Sequence, residues 1–108
     1  MEPERRTDHR RPLRTPVTIV APGKGAREGK TLDLSLSGLS VVVREPLAVH
    51  DQCALRLLLP VGGKRCSVDA RATVVYCVCS GMDGFRLGLR FGTMSNEAAA
   101  LIARYMNG

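Results

Sequence analysis

Tryptophan is absent from this 108-residue chain, and two tyrosines and two phenylalanines are its only large rings. Tyr76, Tyr105, Phe85 and Phe91 fall mostly at positions that read as core, so the chain lacks the row of exposed rings on which single-strand nucleic-acid binders stack bases. Histidine is as scarce. His9 sits in an arginine-rich stretch and His50 in a loop, which leaves Cys53, Cys66, Cys77 and Cys79 without partners for a zinc site. Their own spacing matches neither a zinc finger nor the framework of a small secreted scaffold. Cys77 and Cys79 would share one face of a strand, where they read as buried thiols rather than as a redox pair or half a metal site. No apolar run approaches the ~20 residues that a membrane-spanning helix needs. The first residues are charged rather than apolar, so no secretory signal is read and the cytoplasm is the default expectation.

What the chain has in excess is arginine. Its formal net charge is +6 with a pI near 9.7, and Arg5, Arg6, Arg10, Arg11 and Arg14 concentrate much of that charge in one N-terminal arm. Such a balance suggests an anionic partner. The arm holds no lysine, which favours planar, bidentate recognition of phosphate or of a purine edge over bulk attraction. Arg6 and Arg10 are four apart, as are Arg10 and Arg14, so a turn-like arm could bring either pair onto one ligand. At 108 residues and 44% hydrophobic content there is material for one core and one domain.

Beyond the arm, short valine- and leucine-rich runs alternate with Gly, Pro and charged breaks at intervals that suit an antiparallel sheet of barrel type. Val17 to Ala21, Lys30 to Ser35, Leu39 to Val43 and Ala54 to Leu59 read as strands, the last stopping at Pro60. Val61-Gly62-Gly63-Lys64 predicts a hairpin into a long strand from Arg65 to Val78, within which a bulge is expected. Phe85, Leu87, Leu89 and Phe91 then alternate with Arg86, Gly88 and Arg90 in the period of a half-buried strand. At the C-terminus the period changes. Ala98, Leu101, Ile102 and Tyr105 fall at helical spacing, with Ser95 as N-cap and Glu97 in the first turn.

One turn combines polar groups unusually densely: Asp33-Leu34-Ser35-Leu36-Ser37-Gly38. If the second strand continues through them, Asp33 and Ser35 share a face and offer acceptors to a donor such as guanine N1 or N2. Gly38 would let the backbone approach a ligand with no Cβ in the way. Taken alone, the stretch reads more readily as an Asp-initiated turn closing a hairpin.

With the arm placed one strand upstream, the sequence resembles the PilZ family of cyclic di-GMP receptors over nearly its whole length. The resemblance rests on an R-x-x-x-R motif within Glu4-Arg5-Arg6-Thr7-Asp8-His9-Arg10, on D-x-S-x-x-G at Asp33 to Gly38, and on Gly84-Phe85-Arg86-Leu87-Gly88-Leu89-Arg90-Phe91 ahead of the helix. It implies a six-stranded antiparallel split β-barrel over residues 15–108, a C-terminal α-helix, and a flexible arginine arm over residues 1–14. It also implies cyclic di-GMP as ligand, with Arg6 and Arg10 gripping phosphate and the guanine edge while Asp33, Ser35 and Gly38 form the other wall. Arg5, just ahead of the motif, is placed to stack on a base or to recruit a second ligand molecule. Arg10 and Arg14 also satisfy the arginine spacing. The Arg6/Arg10 register is taken because it leaves Arg11 to Val17 as the proline-containing lead into the first strand.

The function implied is that of a bacterial second-messenger receptor, without enzymatic activity, cofactor or metal. Ligand would order the arm and the closed surface would signal to a separate effector protein, in motility, adhesion or exopolysaccharide (biofilm) control. Two other classes fit parts of the sequence: a PilZ-like adaptor that acts through protein contacts without binding nucleotide, and a nucleic-acid-binding β-barrel, which the charge favours and the missing rings disfavour.

Overall fold

A computed structural model describes residues 9–108; Arg5, Arg6 and Asp8 of the arm lie outside them. The strands are β1 (Arg11–Pro12), β2 (Pro16–Ala21), β3 (Gly25–Leu34), β4 (Gly38–Val43), β5 (Gln52–Val61), β6 (Lys64–Cys79) and β7 (Phe85–Phe91), followed by the helix α1 (Asn96–Asn107). Successive antiparallel pairings run from β2 to β3, β4, β7, β6, β5 and back to β2, so six strands close a barrel and β1 is added against the end of β3. Closure leaves each paired strand with one inward face. β5 shows the result plainly, with Cys53, Leu55, Leu57, Leu59 and Val61 buried and the residues between them more exposed.

Turn chemistry sets the registers. Gly62 and Gly63 both take positive φ, 61° and 77°, and join β5 to β6 as the two-residue hairpin that a right-twisted strand pair prefers. Contrary to the sequence reading, β5 does not stop at Pro60 but carries it opposite Arg65. Proline is tolerated there because β2 pairs only with residues 54–57 of β5, so the missing N–H costs no ladder bond on that side. β3 is also longer than expected, beginning at Gly25.

Ser95 caps α1, its hydroxyl accepting from the Ala98 N–H at 3.0 Å. The helix lays Ala98, Ile102 and Tyr105 against β5 and β6. No helix among the described residues is long and apolar enough to cross a membrane.

The arm is attached to the barrel earlier than residue 15. Leu13 is buried, the Leu13 N–H bonds the Leu32 carbonyl, and the wholly buried Thr31 hydroxyl donates to the Leu13 carbonyl while accepting from the Thr15 N–H. Arg11 donates to the Tyr105 carbonyl and stands 4.4 Å over the Tyr105 ring, and the Tyr105 hydroxyl donates to the Pro12 carbonyl at 2.9 Å. The segment from Arg11 to Arg14 therefore belongs structurally with the barrel and helix. Charge alone does not reveal this, because the fastening is done by the buried Leu13 side chain, the Leu13–Leu32 backbone bond and the Thr31 hydroxyl.

Candidate functional site

Where β3 turns into β4, the strand ends at Leu34 and Ser35 rotates inward. Its hydroxyl accepts from the N–H groups of Ser37 (3.2 Å) and Gly38 (3.1 Å) and donates to the Gly38 carbonyl (3.1 Å), while its own N–H bonds the same carbonyl at 2.8 Å. Asp33 and Ser35 thus do not share a face, since the condition that the strand run on through Ser35 is not met. Ser35 shapes the turn from within. Ser35→Ala should strip two amides of their partner and lower stability by about 1–2 kcal/mol, measurable by urea unfolding.

Gly38 is also tied to architecture. A Cβ built there would lie 2.0 Å from the Leu89 carbonyl oxygen, because β4 crosses close to β7 at this point. The glycine admits a neighbouring strand, and it also lines the groove beside that strand.

Asp33 faces the opposite way, outward, and receives Arg10. The Arg10 Nε donates to Asp33 Oδ1 at 3.0 Å, in an ion pair whose side chains are 40% and 21% exposed. This pair forms one end of a groove of about 480 Å³ that also takes in Ser37, Gly38, Ser40, Tyr76, Arg86, Gly88 and Arg90. The volume falls within the range usual for small-ligand sites. Arg86, Gly88 and Arg90 alternate outward along β7, and Tyr76 lies across from Gly88 on β6. A Cβ on Gly88 would meet the Tyr76 ring at 2.1 Å, so the ring rests on bare backbone between the two arginines. The Tyr76 hydroxyl is 3.2 Å from Ser40 Oγ. Among the described residues, the side chains of Arg86 and Arg90 have no hydrogen-bond or ion-pair partner. Three arginines and one aspartate give the groove a net charge of +2. Arg14 is exposed and does not line it.

The sequence reading did not single out Tyr76, Arg86 or Arg90, and it counted Tyr76 among four rings that fall mostly at core positions. The signal available was the arginine alternation on β7. Cys79, read among the buried thiols, is exposed at the end of β6, whereas Cys53 is buried and its thiol pKa is pushed up by desolvation. A larger groove of about 910 Å³ runs past Val20, Ala54, Arg56, Asp69 and Met94, away from both sequence motifs. Of its three charged lining residues, Arg56, Asp69 and Arg71, the first two pair at 2.6 Å.

Residues 4–108 match the family model of the PilZ domain. The chain belongs to the PilZ family. Solved structures of similar fold include the Bacillus subtilis inhibitor of motility MotI/DgrA, with a TM-score of 0.78 and 17% identity over 95% of this chain. A PilZ domain of CeSA from a cellulose-synthesizing bacterium gives 0.67 and 21% over 92% of the chain, and the PilZ domain of Escherichia coli YcgR with c-di-GMP gives 0.70 and 19% over 95%. This PilZ chain spans half the length of MotI, but 96% of the CeSA domain and 90% of the YcgR domain. A search of curated proteins found no match.

Proposed function

We propose that this PilZ domain is a cyclic di-GMP receptor whose ligand sits in the groove between Asp33 and Arg90. The observation that carries the reading is the groove's makeup: arginines on two sides, a net charge of +2 and a tyrosine ring lying flat between Arg86 and Arg90. Cyclic di-GMP carries two phosphates and two guanines, and these are the groups that guanidinium forks and an aromatic face recognise. Similarity of fold to a YcgR domain that holds the same ligand supports the choice. Arg10 belongs to the binding set whichever arginine register applies, and the absence of Arg14 from the groove favours Arg6 as its companion. Asp33 accepts from guanine or holds Arg10 in line, while Ser35 and Gly38 act on the ligand through the turn they build.

Binding would draw the arm, with Arg5 and Arg6, over the groove. The closed surface then differs from the open one by the arm and by two buried phosphates, and a separate effector protein reads that difference. The likeness of fold to MotI, an inhibitor of motility, supports motility as the output.

Calorimetric titration with cyclic di-GMP tests the reading. Arg86→Ala, Arg90→Ala and Asp33→Ala should each weaken binding, and Arg14→Ala should not. Tyr76→Ala should weaken it by roughly tenfold, the worth of one base stacked on a ring, while Tyr76→Phe retains most of it. For a true receptor, ligand at ~100 times its dissociation constant should add about 2.7 kcal/mol to unfolding stability. A wild-type protein silent at high-micromolar ligand would leave an adaptor that works through protein contacts alone.

A further inference from the structure

β6 outruns its neighbour. Its pairing with β5 ends at Thr73 opposite Gln52, and the loop ahead of β5 covers one residue more: the His50 N–H bonds the Val74 carbonyl and the Val74 N–H bonds the Asp51 carbonyl. From there to Cys79 the strand pairs with β7 on one side and, among the described residues, with nothing on the other. At its far end the Ser80 N–H bonds the Gly84 carbonyl. The alternation of an antiparallel ladder then turns the amides of Tyr76 and Val78 toward β7 and those of Cys77 and Cys79 outward.

Open edges are normally guarded by lysine, proline or a covering loop. This one reads Val75-Tyr76-Cys77-Val78-Cys79, with no charge, proline or glycine. Val75 and Val78 are 41% and 50% exposed, and Cys79 is exposed as well. A register shift between Val74 and Tyr76 is the edge's one irregularity.

We propose that this edge pairs with the same edge of a second copy of the chain, antiparallel about a two-fold axis at Cys77. In that register Cys77 meets Cys77, Tyr76 meets Val78 and Val75 meets Cys79, so no charge is set against another and the outward Cys77 amides exchange N–H to carbonyl bonds across the axis. Self-complementarity of this kind favours a like copy, since the segment's own sequence supplies an apolar match at every position. The net charge of +6 does not forbid it. The nearest like charge, Arg86 on β7 opposite Val78, would be separated from its counterpart by three strand spacings, about 14 Å, beyond the screening length of ~8–10 Å at physiological salt. The antiparallel sense also carries the turn at Met82, which is 100% exposed, toward Val49 of the other copy, which is 44% exposed. Five residues of edge bury less than the ~1,200 Å² of a standard interface, so the dimer is weak and concentration-dependent.

Sedimentation equilibrium on the full chain under reducing conditions tests this independently of any ligand. The mass should climb from monomer toward dimer between low- and high-micromolar protein, and more readily as salt is raised. Val78→Lys sets a charge on the edge, and Cys79→Pro removes an outward N–H while sparing the β7 ladder; each should weaken association by about tenfold or more. Circular dichroism on both variants checks that they remain folded. In a Cys79→Ser background, diamide should link two chains through Cys77, whose Cα atoms would be ~5.5 Å apart and within disulfide reach. A wild-type chain that stays monomeric to high-micromolar concentration, or a dimer indifferent to both edge variants, overturns the proposal.

Discussion

Gly38→Ala is expected to lower unfolding stability by about 2–4 kcal/mol, among the largest effects of any single methyl group in this barrel. The added Cβ would lie 2.0 Å from the Leu89 carbonyl oxygen and 3.1 Å from the Arg90 Cα. Both are backbone atoms of β7, so neither can swing aside as a side chain could. Relief requires β4 and β7 to part where Gly38 pairs with Arg90, at the seam that closes the barrel beside the groove. The turn cannot absorb the shift either, because the Ser35 hydroxyl holds the Gly38 N–H and carbonyl together. Gly92→Ala is the control: its Cβ would meet only the Arg71 carbonyl, at an ordinary 3.7 Å, and should leave stability within ~0.5 kcal/mol. Thermal unfolding reads the contrast as a drop of roughly 10 °C for Gly38→Ala against little change for Gly92→Ala. A Gly38→Ala protein of wild-type stability that had lost only ligand affinity would restore the ligand-clearance role.

The barrel was legible in the sequence wherever two-residue alternation was uninterrupted, as in β7, and the helix wherever its cap and apolar stripe coincided. The candidate site was legible only in part, for reasons visible at Tyr76. Val68, Ala70, Ala72 and Val74 all point inward on β6, so an unbroken alternation would place Tyr76 inward too. The bulge at Val75 reverses the parity: Cys77 packs on the core opposite Leu87, and Tyr76 emerges opposite Gly88. A bulge was expected somewhere in so long a strand, but its position depends on how β6 meets β7, and no local pattern encodes that. Arg86 and Arg90 were hidden for a related reason. Their outward direction follows from β7 alone, yet their meeting with Arg10 and Asp33 depends on β4 lying between β3 and β7, a pairing across about 50 residues of chain. The turn motif was visible as a motif while the division of labour within it was not, since the inward rotation of Ser35 follows from β3 ending one residue earlier.

Arg10→Ala should reduce cyclic di-GMP affinity by about 100-fold while leaving the free protein almost unchanged in stability. The two halves of that expectation have one cause. In the free protein Arg10 is engaged by Asp33 in an exposed pair, worth about 0–1 kcal/mol, so its loss scarcely touches folding. Against a phosphate in the proposed site the same guanidinium would form charge-assisted, bidentate bonds, each worth about 1.5–3 kcal/mol, and two together reach the expected loss. Asp33 competes for Arg10 only weakly, so re-aiming the side chain toward the ligand costs little. Arg10→Lys separates charge from geometry: it should recover the long-range attraction, seen as a faster association at low salt, but not the fork, leaving affinity about tenfold or more below wild type. Raising the salt should narrow the gap between Arg10→Lys and Arg10→Ala while preserving the gap between wild type and Arg10→Lys, because screening removes point-charge attraction before it removes a seated bidentate contact. If Arg10→Ala instead bound with wild-type affinity while Arg86→Ala and Arg90→Ala did not, the ligand would sit on the β7 side of the groove alone, and Asp33 would have no ligand-directed role.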